Sequence, residues 1–232
     1  MVNIETSVVL VTGANGGLGK EFVAQALERG ATRVYAAARS TTEWNDPRVV
    51  PLTLDVTDPN SVAAAAAAAP DVTVVVNNAG IVRHGSLVEG SFDDIRATME
   101  TNFFAPLAVT RAFAPALRAA KGGLINVGSI ASWLPLDAYG ASKAALWSAT
   151  NAIRLELAPS GVHVLGAYLA YTRTPMTEGM DVEMNDPADV VKAILDGLGA
   201  NHDEVLADET TRQVRSGLGL PIASLLSAVS GN

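Results

Sequence analysis

Short apolar runs rich in β-branched residues alternate along the chain with longer Ala- and Leu-rich stretches. Val8-Val9-Leu10-Val11 is the first run, a stretch with helical character covers 20–29, and Arg33-Val34-Tyr35-Ala36-Ala37 opens the next. The same alternation predicts strands over 49–54, 72–76, 123–127 and 162–165, and helices over 61–69, 92–119 and 139–157. Strands without polar interruption are strands buried on both faces. Repeated strand–helix–strand units of this kind predict an α/β fold, a doubly wound parallel sheet flanked by helices on both faces. The alanine run at 63–69 reads as a helix because Asp58 and Pro59 supply a cap and a first-turn proline, and Pro70 ends it. Beyond Thr174 the pattern loosens into a helix over 187–198, a strand over 204–207 and a helix over 209–218. No linker divides these parts, so residues 1–232 read as a single domain, with about 175–232 supplying a substrate lid and C-terminal elements.

Composition narrows the function classes. With 16 basic and 24 acidic side chains the formal charge is −8, which disfavours nucleic acid as a partner. The chain has no cysteine, so disulfides, thiolate nucleophiles and cysteine-based zinc sites are excluded. His84, His163 and His202 are scattered and lack acidic neighbours at metal-ligand spacing, and no metal is expected. No apolar run is long enough for a membrane span and the start has no signal-peptide pattern, so the chain reads as cytoplasmic, without a membrane partner.

The first strand leads directly into Thr12-Gly13-Ala14-Asn15-Gly16-Gly17-Leu18-Gly19, and a helix follows. A strand-to-helix turn aims free backbone N–H groups at the helix N-terminus, and missing Cβ atoms let a pyrophosphate approach. The spacing is Thr-Gly-x-x-x-Gly-x-Gly. Further on, in Tyr139-Gly140-Ala141-Ser142-Lys143, the tyrosine and lysine stand at i and i+4 and share one helical face. A tyrosine of ordinary pKa near 10 is a poor general acid/base at neutral pH, and a neighbouring ammonium is expected to lower it.

From Val8 to about Met176 the chain resembles the classical short-chain dehydrogenase/reductase family. The resemblance is carried by the glycine turn, by Asp55-Val56, by Asn77-Asn78-Ala79-Gly80 after the fourth strand, and by Asn102, Ser129, Tyr139 and Lys143 in the order of the family's catalytic tetrad. It implies a Rossmann-type fold and a nicotinamide held by Gly13, Asn15, Gly16, Gly17, Leu18 and Gly19, by Asp55 and Val56 at the adenine, by Asn78, Ala79 and Gly80, by Tyr139 and Lys143, and by Thr172 and Thr174 at the carboxamide. The position where an acid would select NAD holds Ala38, followed by Arg39 and Ser40, which points to NADP(H) over NAD(H). Lys143 is implied to hold the ribose as well as to activate Tyr139, the proton donor in reduction and acceptor in oxidation. Ser129 is implied to bind the substrate oxygen, with Ser132 as a rival because the stretch to Tyr139 is shorter than is common. Asn102 matches the residue that loosens its helix and holds a water in the proton relay.

Two further features concern the substrate. Leu169-Ala170 replaces the family's usual Pro-Gly before Thr172 and Thr174, which changes backbone freedom at the nicotinamide end. His84 and Tyr171 border the expected pocket, Trp133, Leu134 and Leu136 are expected to form an apolar wall, and the segment after Thr174 reads as a mobile lid. The resulting expectation is an NADP(H)-dependent carbonyl reductase or alcohol dehydrogenase acting on a small ketone or secondary alcohol. The alternatives are a non-catalytic NADP(H)-binding sensor, which usually lacks the tyrosine or lysine, and a sugar-nucleotide epimerase or dehydratase, which needs a larger C-terminal part. Residues 103–117 and 144–157 are apolar on more than one face. The family's dimer interface uses these helices, implying a homodimer or homotetramer.

Overall fold

The computed structural model describes residues 2–223, 225 and 226. The part of the expected C-terminal elements at 227–232 lies outside the described residues. The first half runs β1 (Val8–Thr12), α1 (Gly17–Glu28), β2 (Arg33–Ala38), β3 (Val49–Thr53), α2 (Pro59–Ala68) and β4 (Val74–Asn77). The second half runs α3 (Phe92–Met99), α4 (Ala105–Ala120), β5 (Gly123–Val127), α5 (Ala138–Leu157), β6 (His163–Tyr168), α6 (Pro187–Gly199), β7 (Glu204–Leu206) and α7 (Glu209–Ser216). All seven strands form one parallel sheet in the order β3-β2-β1-β4-β5-β6-β7. This is the Rossmann-type doubly wound arrangement that the alternating pattern predicts.

The apolar strands are buried on both faces because helices cover both. On one face Phe22, Val23 and Ala26 of α1 and Val190, Val191 and Ile194 of α6 pack on Val9, Val11 and Val76. On the other, Val62 and Ala65 of α2 and Val109, Phe113 and Leu117 of α4 pack on Leu10, Val75 and Leu124. A smaller third core gathers Ile130, Trp133, Leu134, Tyr168, Val214 and Leu225 beneath α7. Asp58 caps α2 through the backbone N–H of Asn60, as its sequence signature predicts. Among the described residues no helix is long and apolar enough to cross a membrane.

Two boundaries differ from expectation in ways that matter for the site. Helix α1 begins at Gly17, inside the glycine turn, three residues before the expected start at Lys20. The predicted helix over 92–119 is divided: α3 and α4 are joined by one π-helical turn, Glu100–Phe104. Asn102 sits in that turn, fully buried, with its side chain bonded outside the helix.

The strand order reverses direction between β1 and β4. In an open α/β sheet the crevice beyond the carboxyl ends of two such strands is where ligands bind. Here the crevice is walled by the turn after Thr12 on one side and by residues 77–80 on the other.

Candidate active site

Thr12 organises the crevice, and its hydroxyl was the signal most easily passed over in the sequence. It is buried, and its Oγ1 accepts the backbone N–H groups of Asn78 and Ala79, each at 3.0 Å. Asn78 returns the contact, its Nδ2 donating to the Thr12 carbonyl at 2.9 Å and to that of Gly13 at 3.3 Å. The side chain of Asn78 thus braces the glycine turn. Asn77 points the other way, its Nδ2 donating to Asn126 Oδ1 at 2.9 Å across β4 and β5.

The turn itself fits a dinucleotide. No side chain caps α1, whose N-cap is Gly16; Gly19 N–H donates to the Gly16 carbonyl at 3.0 Å, and the helix N-terminus presents its N–H groups toward the crevice without a side-chain acceptor. Gly19 is required for packing, since a Cβ there would stand 2.1 Å from the Gly13 carbonyl oxygen. Gly17 has φ +50, and a Cβ on it would press within 3.2 Å of the Thr174 side chain, which places Thr174 against the turn. Asn15 Nδ2 donates to the Ser40 carbonyl at 2.6 Å, while Asn15 Oδ1 is buried without a hydrogen-bond partner. That contact draws the end of β2 toward the turn, with Arg39 exposed beside it. Asp55 lies just past β3, its carboxyl held below the usual range by the Thr57 hydroxyl and backbone N–H, with a smaller contribution from the Arg39 charge.

The tetrad residues come from three parts of the chain, the π-helical turn, the stretch just past β5 and the start of α5, and meet at one place. Tyr139 and Lys143 lie in the first turns of α5, with Lys143 Nζ 5.7 Å from the Tyr139 ring centre. Lys143 is buried and Nζ donates to the Val127 carbonyl at 2.9 Å; burial lowers its pKa to about 8. Ser129, just past β5, faces Tyr139, and its hydroxyl also accepts the Ala131 N–H at 3.1 Å. Ser132 is turned away, donating to the Lys143 carbonyl at 3.0 Å, which separates the two rival serines. A Cβ built on Gly80 would lie 3.2 Å from Asn102 Oδ1 and 3.8 Å from Lys143 Nζ, so these three residues share one small space.

The electrostatics of Tyr139 reverse one expectation. Burial pushes its hydroxyl above the usual tyrosine pKa; the Ser129 hydroxyl pulls it down, and Asp137 and Tyr171 push it up again. Desolvation outweighs the depression expected from a neighbouring ammonium, and Lys143 Nζ is bonded to the Val127 carbonyl.

Several other expected positions are relocated. Trp133 and Leu134, expected at a substrate wall, are buried in the third core, the Trp133 ring tilted against Tyr168 with centroids 4.9 Å apart and the Arg215 guanidinium over it. Leu136 is exposed. Thr172 is buried with its hydroxyl on the Ala170 carbonyl at 3.1 Å, leaving Thr174 as the threonine beside the glycine turn. His84 does have an acidic partner, Asp137, with Nδ1 to Oδ2 at 2.8 Å. Tyr171 is half-exposed beside Tyr139. After Thr174 the chain makes a short 3-10 turn, Pro175–Thr177, and a cleft of about 530 Å³ is lined by Arg173, Thr174, Thr177, Glu178, Met180 and Met184 among others.

Two residues with roles at the site were missed in the sequence. Asp137 caps α5 by accepting the Tyr139 N–H at 2.9 Å, and an Asp just before a helix was a readable cap signal. Asp208, N-cap of α7, accepts from Ala170 N–H at 2.8 Å and from Asn185 Nδ2 at 3.1 Å, and nothing in its neighbourhood in sequence announces those partners.

Residues 7–185 match the family model for the short chain dehydrogenases. Among solved structures, the chain is similar to a short chain dehydrogenase from Burkholderia cenocepacia in complex with NADP: 37% identity, 98% of each chain covered, TM-score 0.91. Among curated proteins it is 30% identical to dehydrogenase/reductase SDR family member 7B of Bos taurus over 88% of this chain and 74% of that protein. It is 34% identical to an NADPH-dependent 1-acyldihydroxyacetone phosphate reductase of Schizosaccharomyces pombe over 67% of this chain and 56% of that protein, so it spans little more than half the length of this relative.

Proposed function

The chain belongs to the short-chain dehydrogenase family, and on that premise we propose that it is an NADP(H)-dependent carbonyl reductase or alcohol dehydrogenase acting on a small ketone or secondary alcohol. The observation that carries the reading is the convergence of Tyr139, Lys143 and Ser129 beside an uncapped, glycine-lined helix N-terminus. When bound there, a nicotinamide supplies or takes up a hydride.

The chain's own groups do the rest. In reduction Tyr139 gives its phenolic proton to the carbonyl oxygen as hydride reaches the carbonyl carbon, and in oxidation it takes that proton back. A hydroxyl held above its usual pKa is protonated at neutral pH, the state a donor needs. Ser129 donates a hydrogen bond to the same oxygen and stabilises the charge that develops on it. Lys143 holds the ribose hydroxyls, and its charge favours the phenolate that Tyr139 must become. Asn102, in its π-helical turn, holds the water that reconnects Tyr139 and Lys143 to solvent.

The cofactor reading extends over the crevice. Gly13, Asn15, Gly16, Gly17, Leu18 and Gly19 receive the pyrophosphate, Asp55 and Val56 the adenine, and Asn78, Ala79 and Gly80 line the ribose side. Thr174 takes the carboxamide. Arg39, exposed beside Ser40, pairs with the additional phosphate of NADP. NADP in the similar Burkholderia structure and the NADPH dependence in the name of the yeast relative support this choice.

The test is consumption of NADPH and of NADH with aryl, aliphatic and cyclic ketones. We expect turnover with a higher kcat/KM for NADPH, and a fall of that preference in Arg39→Ala by about tenfold or more, the scale of a lost charge-assisted contact. A ratio that does not move in Arg39→Ala overturns the cofactor assignment. No turnover across the panel despite NADPH binding overturns the enzymatic one.

A further inference from the structure

The segment leaving β4 is fastened to the first turn of α5 at two points, both ending on the backbone of Tyr139, and the nearer one runs through Asn102. At that point Ile81 N–H donates to Asn102 Oδ1 at 2.9 Å, and Asn102 Nδ2 donates to the Ile81 carbonyl at 2.9 Å and to Ser142 Oγ at 3.1 Å. Ser142 Oγ donates in turn to the Tyr139 carbonyl at 2.7 Å. At the farther point His84 Nδ1 meets Asp137 Oδ2 at 2.8 Å, and Asp137 Oδ1 accepts the Tyr139 N–H at 2.9 Å. A closed ring therefore runs from the Tyr139 carbonyl through Ser142, Asn102, residues 81–84 and Asp137 back to the Tyr139 N–H.

We propose that His84 and Asp137 are positioning residues for Tyr139, closing this ring so that the backbone of the proton donor is held from both sides. The proposal rests on the reading of Tyr139 as the proton donor. A carboxylate only accepts hydrogen bonds, so His84 Nδ1 carries the proton in this contact. The carboxylate is thereby shared: one oxygen is fixed on the helix, and the other anchors a loop 53 residues earlier in the chain. Arg83 secures the same loop from its other side through Asp94 of α3.

Magnitudes separate positioning from stability. The His84 side chain is 72% exposed, and a polar contact with one partner so open to water contributes at most about 1 kcal/mol to folding. Placement of a reacting group is far more demanding, since a shift of about 1 Å can cost roughly 100-fold in rate. Loss of this link is therefore expected to appear in kcat and hardly at all in the melting temperature.

The experiment compares His84→Ala, His84→Asn, Asp137→Asn and the His84→Ala/Asp137→Asn double variant, with Tyr139→Phe as control. Asn at 137 keeps a cap oxygen for Tyr139 N–H, and Asn at 84 places an amide nitrogen where Nδ1 stands. We expect kcat to fall about tenfold in His84→Ala and in Asp137→Asn, with KM for NADPH unchanged and melting temperatures within about 4 °C of wild type. The double variant should be no worse than either single one, and His84→Asn should recover most of the rate. Wild-type kcat in His84→Ala, additive losses in the double variant, or a melting temperature that collapses together with the rate each overturn the proposal. If instead Tyr139→Phe keeps a near-normal rate, the reading of Tyr139 fails first, and the control separates that failure from this one.

Discussion

Lys143 shows how a single buried charge connects chemistry to stability. Its ammonium is removed from water and holds one backbone carbonyl, and its pKa falls from the ordinary 10.5 to about 8. The unfolded chain keeps the proton to a higher pH than the folded one, so between about 8 and 10.5 unfolding takes up a proton and stability rises with pH. The gain approaches roughly 1 kcal/mol per pH unit in the middle of that window. Tyr139 and Tyr168, both raised by burial, act oppositely but above the ordinary tyrosine pKa. Urea unfolding of the ligand-free protein at pH 8, 9 and 10 should show Lys143→Met lacking a rise that wild type has; parallel profiles would mean that Lys143 is not desolvated as described. Tyr139 and Lys143 were legible as a pair because helical spacing alone puts them on one face. Strand register favours Ser129 over its rival Ser132, but both are small hydroxyls in one short stretch, and the 3-10 turn Ile130–Trp133, which turns Ser132 onto the Lys143 carbonyl, is not legible there. Asp137 was readable as a cap, but its bond to His84 joins residues whose nearness depends on the whole sheet.

Among elements, the strands were the most legible, because burial on both faces leaves an unbroken apolar run with no other explanation. The division of the 92–119 helix was not readable from periodicity. A π turn adds one residue without changing composition, and its partner groups, Ile81 and Ser142, come from distant parts of the chain. The nicotinamide-end loop is similar. Leu169-Ala170 in place of Pro-Gly reads in the sequence as a change of backbone freedom, and in the fold the Ala170 N–H is fixed by Asp208, which also holds Asn185 just before α6 and Thr211 in α7. One carboxylate thus ties three elements together. Removing it strips a helix cap and leaves donors without their acceptor, so Asp208→Ala should lower unfolding free energy by about 1–3 kcal/mol, and Asp208→Asn by less because it retains a cap. Equal urea midpoints for Asp208→Ala and wild type would show that the loop is held by something else.

For the whole molecule, the question is what covers the apolar surface that the sheet does not need. Leu155 on α5 is 78% exposed, and Phe104, at the start of α4, is 50% exposed, although both belong to helices whose opposite sides are already packed on the sheet. We propose that these helices meet their counterparts in a second copy, giving a homodimer or a homotetramer. In a two-fold interface each substitution is present twice, and a buried leucine contributes about 1.5–3 kcal/mol, so Leu155→Lys should weaken association by about 3–6 kcal/mol, or roughly 100- to 20,000-fold in Kd. Light scattering behind a sizing column should find multiples of the chain mass for wild type and a shift toward monomer for Leu155→Lys, with unchanged far-UV circular dichroism. A wild-type monomer, or an unaltered oligomer in the variant, would place the interface elsewhere. Because α5 carries Tyr139 in its first turn and Leu155 near its last, the same helix serves the site and the proposed contact. The turnover of the monomeric variant then measures whether assembly steadies Tyr139, the proposed proton donor, or leaves it to the hydrogen-bond ring around it.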